Sequence, residues 1–182
     1  SGEAANLAVL SSRKYRTFRH PKVIRFDPWR EMPVLVITAL QASAWQGFRG
    51  RWKLPHTAIR ELASAFGTET VPLREMPFWQ RAFEGASRLG DPSIRTRVQS
   101  CLAAMDEIHG DVVETSGAWH GDLTPWNLAW AGEAVEIWDW ERFELGVPVG
   151  FDTLHYAAQT NVTERGFRVE NLIAGMRRVL SS

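Results

Sequence analysis

Residues 120–127 read His120-Gly121-Asp122-Leu123-Thr124-Pro125-Trp126-Asn127, and Asp139 follows within Ile137-Trp138-Asp139-Trp140-Glu141. Asp122 and Asn127 are five residues apart in one loop, so both side chains can point into one pocket. The strand-like segments 128–130 and 135–138 flank a turn at residues 131–133, which predicts a hairpin that brings Asp139 back beside Asn127. We therefore expect one site that contains two carboxylates and an amide.

This set of side chains suits phosphoryl transfer. That reaction needs a carboxylate that orients the attacking hydroxyl and accepts its proton, and oxygen ligands that hold Mg²⁺ against the nucleotide phosphates. Asp122 suits the first role, and Asn127 and Asp139 suit the second. A lone His-x-Asp also occurs in surface turns, helix caps and metal sites, but a complete loop with a correctly spaced Asp139 is much more specific.

Three segments of the chain resemble the aminoglycoside phosphotransferase and choline kinase-like family, small-molecule relatives of protein kinases. The family's catalytic loop reads His-Gly-Asp-Leu/Ile-x-x-x-Asn, which residues 120–127 match throughout. Its metal motif, an apolar strand ending in Asp with Glu two residues later, is similar to residues 137–141. A further Gly-x-Pro-x-x-x-Asp stretch of the family is similar to residues 146–152.

The resemblance assigns a role to each polar residue of these segments. It implies that Asp122 is the catalytic base and that Asn127 and Asp139 bind Mg²⁺. His120 would orient the loop through hydrogen bonds rather than exchange protons. Asp152 would support the loop from the start of a helix. The expected activity is transfer of the γ-phosphoryl group of ATP or GTP to a hydroxyl of a small molecule.

The resemblance also divides the chain into two parts. Residues 1–40 would be the remnant of a kinase's smaller lobe, with a helix, two strands and the hinge. Glu3 would be the glutamate that pairs with a phosphate-binding lysine, and Thr38, Ala39 and Leu40 would form the hinge whose backbone meets the adenine edge. Residues 41–182 would be a mostly helical larger lobe that carries the catalytic-loop hairpin.

The family's glycine-containing phosphate loop and its lysine-bearing strand are not among these 182 residues. The lysines, all in other contexts, are Lys14, Lys22 and Lys53. We expect the missing elements to lie upstream of Ser1 in a longer polypeptide. The alternative is a kinase-like domain that binds without catalysis. A metal-dependent hydrolase using His120, Asp122 and Asp139 is a third reading, which the lack of paired histidine ligands disfavours.

Hydrophobic periodicity predicts a chain of both helices and strands, and the family resemblance implies that this α+β fold is of the protein-kinase-like type. Strands are expected at 23–26 and 34–37, joined by a proline-bounded loop, and the basic segment 13–22 is interpreted as a surface loop. Helices are expected at 3–10, 59–66, 91–109, 151–159 and 169–180. The helix at 91–109 carries an apolar stripe, in which Cys101 and Met105 are interpreted as core residues rather than redox or metal-binding groups.

Composition favours a small-molecule partner. The chain has 21 basic and 21 acidic residues and no basic arm, which argues against binding to nucleic acid or to a membrane surface. No run approaches the roughly 18 apolar residues of a membrane helix. Cys101 is the only cysteine, so no internal disulfide can form, and a reducing, cytoplasmic location is the expectation.

The acceptor is less well determined. A sugar, an aminoglycoside-like or a choline-like molecule would bind against residues 41–110, where acidic and basic residues alternate and so argue weakly against a polycationic drug. Aromatic residues there can stack on a ring or enclose a quaternary ammonium, although core packing is the preferred interpretation. They are Trp45, Trp52, Phe78 and Trp79. Packing is also the interpretation preferred for Trp126 and Trp130. The oligomeric state stays open.

Overall fold

The structure, a computed structural model, describes residues 2–40 and 53–181 and has an α+β fold. Its helices in these ranges are α1 (Gly2–Ser11), α2 (His56–Ser64), α3 (Pro77–Ser87), α4 (Pro92–His109), α5 (Phe151–Arg165) and α6 (Val169–Leu180). Its strands are β1 (Phe18–Arg19), β2 (Val23–Trp29), β3 (Met32–Ile37), β4 (Glu69–Pro72), β5 (Val113–Trp119), β6 (Leu128–Ala131), β7 (Ala134–Ile137) and β8 (Glu144–Pro148). Short 3₁₀ helices cover Leu73–Glu75 and Trp140–Arg142.

The strands form small sheets. One has the order β1-β7-β6, another is the β2-β3 pair, and another has the order β4-β5-β8. β6 and β7 are the predicted antiparallel hairpin, in which Leu128 lies opposite Ile137. Because the turn between Ala131 and Ala134 is short, the residue after Ile137 returns to the end of the loop 120–127. The hairpin prediction is confirmed.

Several other elements agree with their sequence signals. Asp91 caps α4, its Oδ1 accepting from the N–H groups of Ser93 at 2.8 Å and Ile94 at 3.1 Å, which is the usual way a short polar side chain satisfies a free helix N-terminus. The two strands predicted around residues 23–37 are present and antiparallel. They are longer than predicted, because Arg30 and Glu31 both adopt positive φ and make a two-residue turn in place of a long loop.

The segment 13–22 is not simply a surface loop, so that prediction is wrong in part. Phe18 is 1% exposed, and β1 pairs in parallel with β7, with Phe18 opposite Val135 and Arg19 opposite Glu136. The sequence did not predict this strand, because the residues around Phe18 are mostly basic and indicated a surface loop. Two residues cannot show an alternating pattern, so only the partner strand reveals it.

The region 41–182 contains more sheet than predicted. β4, β5 and β8 pair antiparallel in addition to the catalytic hairpin. Their sequences are poor in β-branched apolar residues: β5 reads VETSGAW and β8 reads ELGVP. Pairing between segments distant in the chain stabilises these strands, because local propensity does not. The predicted boundary near residue 41 lies outside the described residues.

The interpretation of α4 as a core helix is wrong. Cys101 is exposed, and Ile94, Met105 and Ile108 on the same stripe are 51%, 42% and 70% exposed. The contact with α3 lies elsewhere on the helix, where the indole Nε1–H of Trp79 donates to Asp106 Oδ1 at 2.9 Å. The hydrogen bond between Trp79 and Asp106 therefore orients α4, and hydrophobic periodicity cannot predict such a bond.

The buried core joins the two parts of the chain. Leu7 and Leu10 of α1 and Phe18 of β1 pack in one cluster with residues near the catalytic loop, among them Leu123 and Trp140. The ring of Phe18 stacks on Trp140, with 5.9 Å between ring centroids. The first forty residues therefore share a core with the loop that they support. No helix in the described ranges has both the length and the apolar character required to cross a lipid bilayer.

Candidate active site

The loop 120–127 connects β5 to β6 and is closed by backbone hydrogen bonds. The N–H of Asn127 donates to the carbonyl of Thr124 at 3.1 Å, and the N–H of Trp138 donates to the carbonyl of Asn127 at 3.1 Å. The second bond joins the end of the hairpin to the end of the loop. Asp139 follows Trp138 directly, so the structure brings Asp139 beside Asn127 along the backbone.

His120 is fully buried and acts as a scaffold for this loop. Its Nδ1 accepts from the N–H of Asp122 at 3.2 Å, so Nε2 carries the proton and donates to the carbonyl of Trp138 at 2.9 Å. Burial lowers the pKa of His120 to about 4, so the ring is neutral near pH 7. The geometry agrees with an orienting role.

Asp152, the second residue of α5, holds the start of the same loop. Its Oδ2 accepts from the N–H of His120 at 2.8 Å and its Oδ1 accepts from the N–H of Gly121 at 3.2 Å. The expectation that Asp152 supports the loop from a helix start is confirmed. Burial raises the pKa of this carboxyl from 3.8 to about 6, although both hydrogen bonds favour the charged form.

The raised pKa of Asp152 predicts a pH-dependent effect of Asp152→Asn. Between about pH 4 and about pH 6 the folded chain binds a proton that the unfolded chain has lost, so this group's stabilisation is complete below its unfolded pKa and is lost as pH rises through about 6. The free energy lost in the variant should therefore be about 2 kcal/mol larger near pH 4.5 than at pH 7. Urea unfolding followed by tryptophan fluorescence measures it.

The quantity to compare is the difference in the free energy of unfolding between variant and wild type at each pH. A difference is needed because the lowered pKa of His120 changes stability with pH in the opposite direction. The unfolded histidine takes up a proton in this range and the folded one does not, so the contribution of His120 rises with pH. Subtraction removes this contribution. A difference that stays constant with pH would contradict the buried-carboxyl assignment.

Asp122 lies between two side chains. Its Oδ1 is 3.0 Å from Nε2 of His155 on α5, and its Oδ2 is 3.5 Å from Nδ2 of Asn127. The same Asn127 amide donates to the backbone carbonyl of Asp122 at 2.9 Å. Asp122 is 29% exposed at its side chain, so it is oriented by neighbours and still reachable by a small molecule.

His155 is a residue of the candidate site that the sequence interpretation missed. It lies three residues after Asp152, close to one helical turn, and so projects from the same side of α5. That spacing was available from the sequence once Asp152 was assigned to a helix start. The two side chains contact successive residues of the loop from one helix.

Asp139 lies in strained backbone among other carboxylates. Its φ of 64° is in the left-handed region, which non-glycine residues seldom occupy outside functional or turn positions. Burial raises the pKa of Asp139, and the negative charges of Glu141 and Asp122 raise it further, while Arg142 acts in the opposite direction. A carboxylate close to two other carboxylates favours a cation nearby.

The donor set fits Mg²⁺. Asn127 uses its Nδ2 for hydrogen bonds, which leaves Oδ1 as its metal-binding atom, and Asp139 supplies a carboxylate. Mg²⁺ commonly takes one or two protein oxygens and completes its shell with water and phosphate oxygens. Within residues 2–40 and 53–181, no three His, Cys, Asp or Glu side chains cluster as metal ligands. A site built from one carboxylate and one amide would not produce such a cluster.

Glu3 contacts the backbone beside Asp139. Its Oε1 accepts from the N–H of Trp140 at 3.3 Å, and Asn6 of the same helix donates to the carbonyl of Trp140 at 2.8 Å. Glu3 makes no ion pair with any lysine in the described part of the chain. Helix α1 therefore holds the segment that carries Asp139.

The predicted hinge borders a cavity. The N–H of Thr38 donates to the carbonyl of Lys22 at 2.9 Å and is therefore not free to bind a ligand. Thr38, Ala39 and Leu40 line a cavity of about 560 Å³ together with residues of the segment 13–22. Asp122, Asn127 and Asp139 are not among the described residues that line this cavity.

The candidate acceptor aromatics separate into groups. Trp79 is buried, and Phe78 packs edge-on against Trp119 and Phe151, which agrees with core packing. Trp126, predicted to pack, is instead 50% exposed beside Asn127. Trp45 and Trp52 lie outside the described residues.

No protein-family model matches this chain, and no curated protein matches it significantly. The positions of the loop side chains and of their partners on α1, β7 and α5 are therefore the observations that bear on function.

Proposed function

We propose that the protein is an ATP-dependent phosphotransferase of the protein-kinase-like type, which moves the γ-phosphoryl group to a hydroxyl of a small molecule. The acceptor class is a sugar, an aminoglycoside-like or a choline-like alcohol. One observation carries the proposal. A reachable carboxylate, Asp122, is oriented by His155 and lies beside Asn127. The carbonyl of Asn127, at the end of the same loop, accepts a hydrogen bond from the N–H of Trp138, the residue before Asp139.

Asp122 would act on the acceptor hydroxyl. The hydroxyl oxygen forms a bond to the γ-phosphorus while the bond from that phosphorus to the bridging oxygen of ADP breaks, and Asp122 accepts the hydroxyl proton. His155 contacts Oδ1 of Asp122, so Oδ2, which faces Asn127, is the oxygen that would accept this proton. His120 takes no part in proton exchange, because its Nδ1 accepts from the N–H of Asp122 and its Nε2 donates to the carbonyl of Trp138.

Asn127 and Asp139 would hold Mg²⁺, which when bound neutralises phosphate charge. Each residue is oriented by contacts that do not use its metal-binding atom. Asn127 is held by its amide nitrogen, and the segment of Asp139 is held by Glu3 through Trp140. Such support keeps ligands in place before the ion arrives.

Asp139→Ala tests this assignment through nucleotide binding. We expect magnesium-dependent ATP affinity to fall by roughly 10–100-fold, because a charged contact is lost, with ATP affinity in EDTA nearly unchanged. Calorimetry of the full-length polypeptide with and without Mg²⁺ measures both. Glu133→Ala is the matched control, because it removes an exposed carboxylate from the turn of the same hairpin. Equal losses in the two variants would contradict the ligand role of Asp139.

His155 is expected to position Asp122. His155→Ala removes a hydrogen bond to a charged group and should lower turnover by roughly 10–100-fold. His155→Gln keeps an N–H donor and should recover most of the rate. Steady-state kinetics of the three proteins distinguishes the roles, because a histidine needed only for packing would give no recovery with glutamine.

A kinase-like binding domain without catalysis is the second candidate, favoured by the contact of Glu3 with a backbone N–H rather than with a lysine. This alternative predicts ligand binding without product in the full-length polypeptide. Sequencing of the native polypeptide upstream of Ser1 discriminates directly, because a glycine loop and a strand lysine there would favour the kinase.

A further inference from the structure

Helix α4 is the longest helix in the described part of the chain, and none of its residues is buried. Its contact with α3 is made on the side where Asp106 accepts from Trp79. A helix on the surface of a globular protein usually presents polar residues to solvent. On α4 an apolar side is exposed instead, and its exposed members are Ile94, Cys101, Met105 and Ile108. This side of α4 is therefore a candidate docking surface.

The spacing of the apolar residues is typical of helix pairing. Alternating steps of four and three residues separate the members of this seam, which are Ile94, Val98, Cys101, Met105 and Ile108. Such steps give an average period of about 3.5 residues, which is the period found where two helices pack side by side. Ala104 lies beside the seam and is small and exposed, so another helix can approach closely. The seam therefore fits a second helix.

The exposed charges beside the seam differ between its two ends. Arg97 lies beside the first half, and Glu107 and Asp111 lie near the other end. Among the described residues, Arg97 and Glu107 form no ion pair, and Asp111 reaches Arg74 at 3.3 Å. Asp91, at the start of the helix, is engaged in the cap. The seam thus has a basic first half and an acidic end.

A second copy of the chain in antiparallel orientation complements both the seam and its charges. If the two seams are centred on each other near position 103, position 97 of one copy is level with position 109 of the other, between Glu107 and Asp111. Arg97 of each copy then faces the acidic end of the other. A parallel arrangement would instead set like charges side by side and align the two helix dipoles unfavourably.

We propose that two copies of this protein associate through antiparallel α4 helices, with Cys101 and Met105 near the centre of the interface. The helix has 18 residues and is therefore about 27 Å long and ~10 Å wide. A strip of that size is smaller than a standard interface of ~1,200–2,000 Å², so we expect a micromolar rather than a nanomolar dissociation constant. The dimer does not depend on the proposed phosphotransferase activity, because α4 carries no residue of the candidate active site.

Sedimentation velocity of the full-length polypeptide, from low micromolar to several hundred micromolar, measures the association. The wild type should shift from monomer to dimer over this range. Met105→Glu places a charge in the centre of the seam of each copy and should raise the dissociation constant at least about tenfold. Thr96→Glu is the matched control, because it introduces the same side chain at an exposed position on the other side of α4 and should have no effect. Circular dichroism should give equal melting temperatures for the three proteins, since both positions are exposed.

A charge exchange tests the antiparallel orientation. Arg97→Glu places a negative charge level with the acidic end of the other copy and should weaken the dimer by about 3–10-fold. Adding Glu107→Arg to that variant makes the facing charges opposite again and should restore most of the affinity. Parallel pairing predicts no such recovery, because each residue would then face its own equivalent. Absence of recovery would therefore overturn the proposed arrangement.

Cys101 identifies the surface that is used. A short bismaleimide should join two wild-type copies through this thiol, and Cys101→Ser should abolish the cross-link. Met105→Glu should reduce its yield. The proposal is overturned by a wild type that stays monomeric at several hundred micromolar, or by a Met105→Glu variant that dimerises as tightly as the wild type. A Cys101 thiol that resists maleimide in the monomer would overturn it too, because another segment of the polypeptide would then cover α4.

Discussion

Asp122→Asn is expected to reduce turnover by about 10²–10⁴-fold, the usual contribution of a positioned general base. Asparagine has nearly the same shape and can still accept from His155, so the orientation of the side chain should be kept. What is lost is the ability to take the hydroxyl proton. Because Asp122 contacts neither the hinge nor Asp139 by a hydrogen bond, ATP affinity and the free energy of unfolding should change little.

The assay compares wild type and variant in the full-length polypeptide across sugars, aminoglycosides and choline, with phosphorylated product as the readout. Asp111→Asn is a suitable control, because it removes a carboxylate whose side chain is 86% exposed and remote from the loop. Equal product formation by wild type and Asp122→Asn would show that the catalytic assignment is wrong. Nucleotide binding without product in either protein would replace the kinase with the binding domain.

Gly121→Ala is expected to destabilise the fold and to abolish activity. Gly121 has a φ of 85°, and a Cβ at this position would lie 2.3 Å from the carbonyl oxygen of Arg142. That neighbour is backbone and cannot move without displacing the segment after Asp139. The left-handed conformation costs about 1–2 kcal/mol for a residue with Cβ, and a forced backbone shift adds about 1–3 kcal/mol. Denaturant unfolding should register a loss of about 2–5 kcal/mol.

Gly132→Ala separates the two causes. Gly132 also has positive φ, 69°, but a Cβ there would meet no atom within 4 Å. This variant should therefore lose only the conformational part, about 1–2 kcal/mol, and should keep its activity. If both alanine variants were equally destabilised, contact with Arg142 would not be what requires glycine at position 121.

Much of the hairpin of β6 and β7 could be predicted from the sequence, because the residues that define it are close together in the chain. The loop 120–127, the turn at Gly132 and the apolar strand before Asp139 follow one another within twenty residues, so spacing alone implies that the polar groups meet. The helix start at Asp152 could likewise be predicted from the Gly-x-Pro-x-x-x-Asp motif that ends at this residue. The chemical roles of these residues remain proposals.

Other features were decided by tertiary contacts. The strand β1 exists because Phe18 finds Val135, and the strands β5 and β8 exist because they pair with each other, although neither has a strong strand sequence. The apolar stripe of α4 predicted a core helix. The hydrogen bond between Trp79 of α3 and Asp106 instead holds another side of α4 against α3. Periodicity reports which residues share a face and not which face finds a partner.

The chain's sequence by itself determined most of the helices, the hairpin of β6 and β7, and the set of Asp122, Asn127 and Asp139, since these depend on neighbours within a few turns or strands. Only the tertiary structure decided that His155 touches Asp122, that Glu3 supports the segment of Asp139, and that Glu136 lines one cavity with four cations. These contacts join residues from 33 to 137 positions apart. They depend on how the helices and sheets pack around a shared core, and no local pattern encodes that packing.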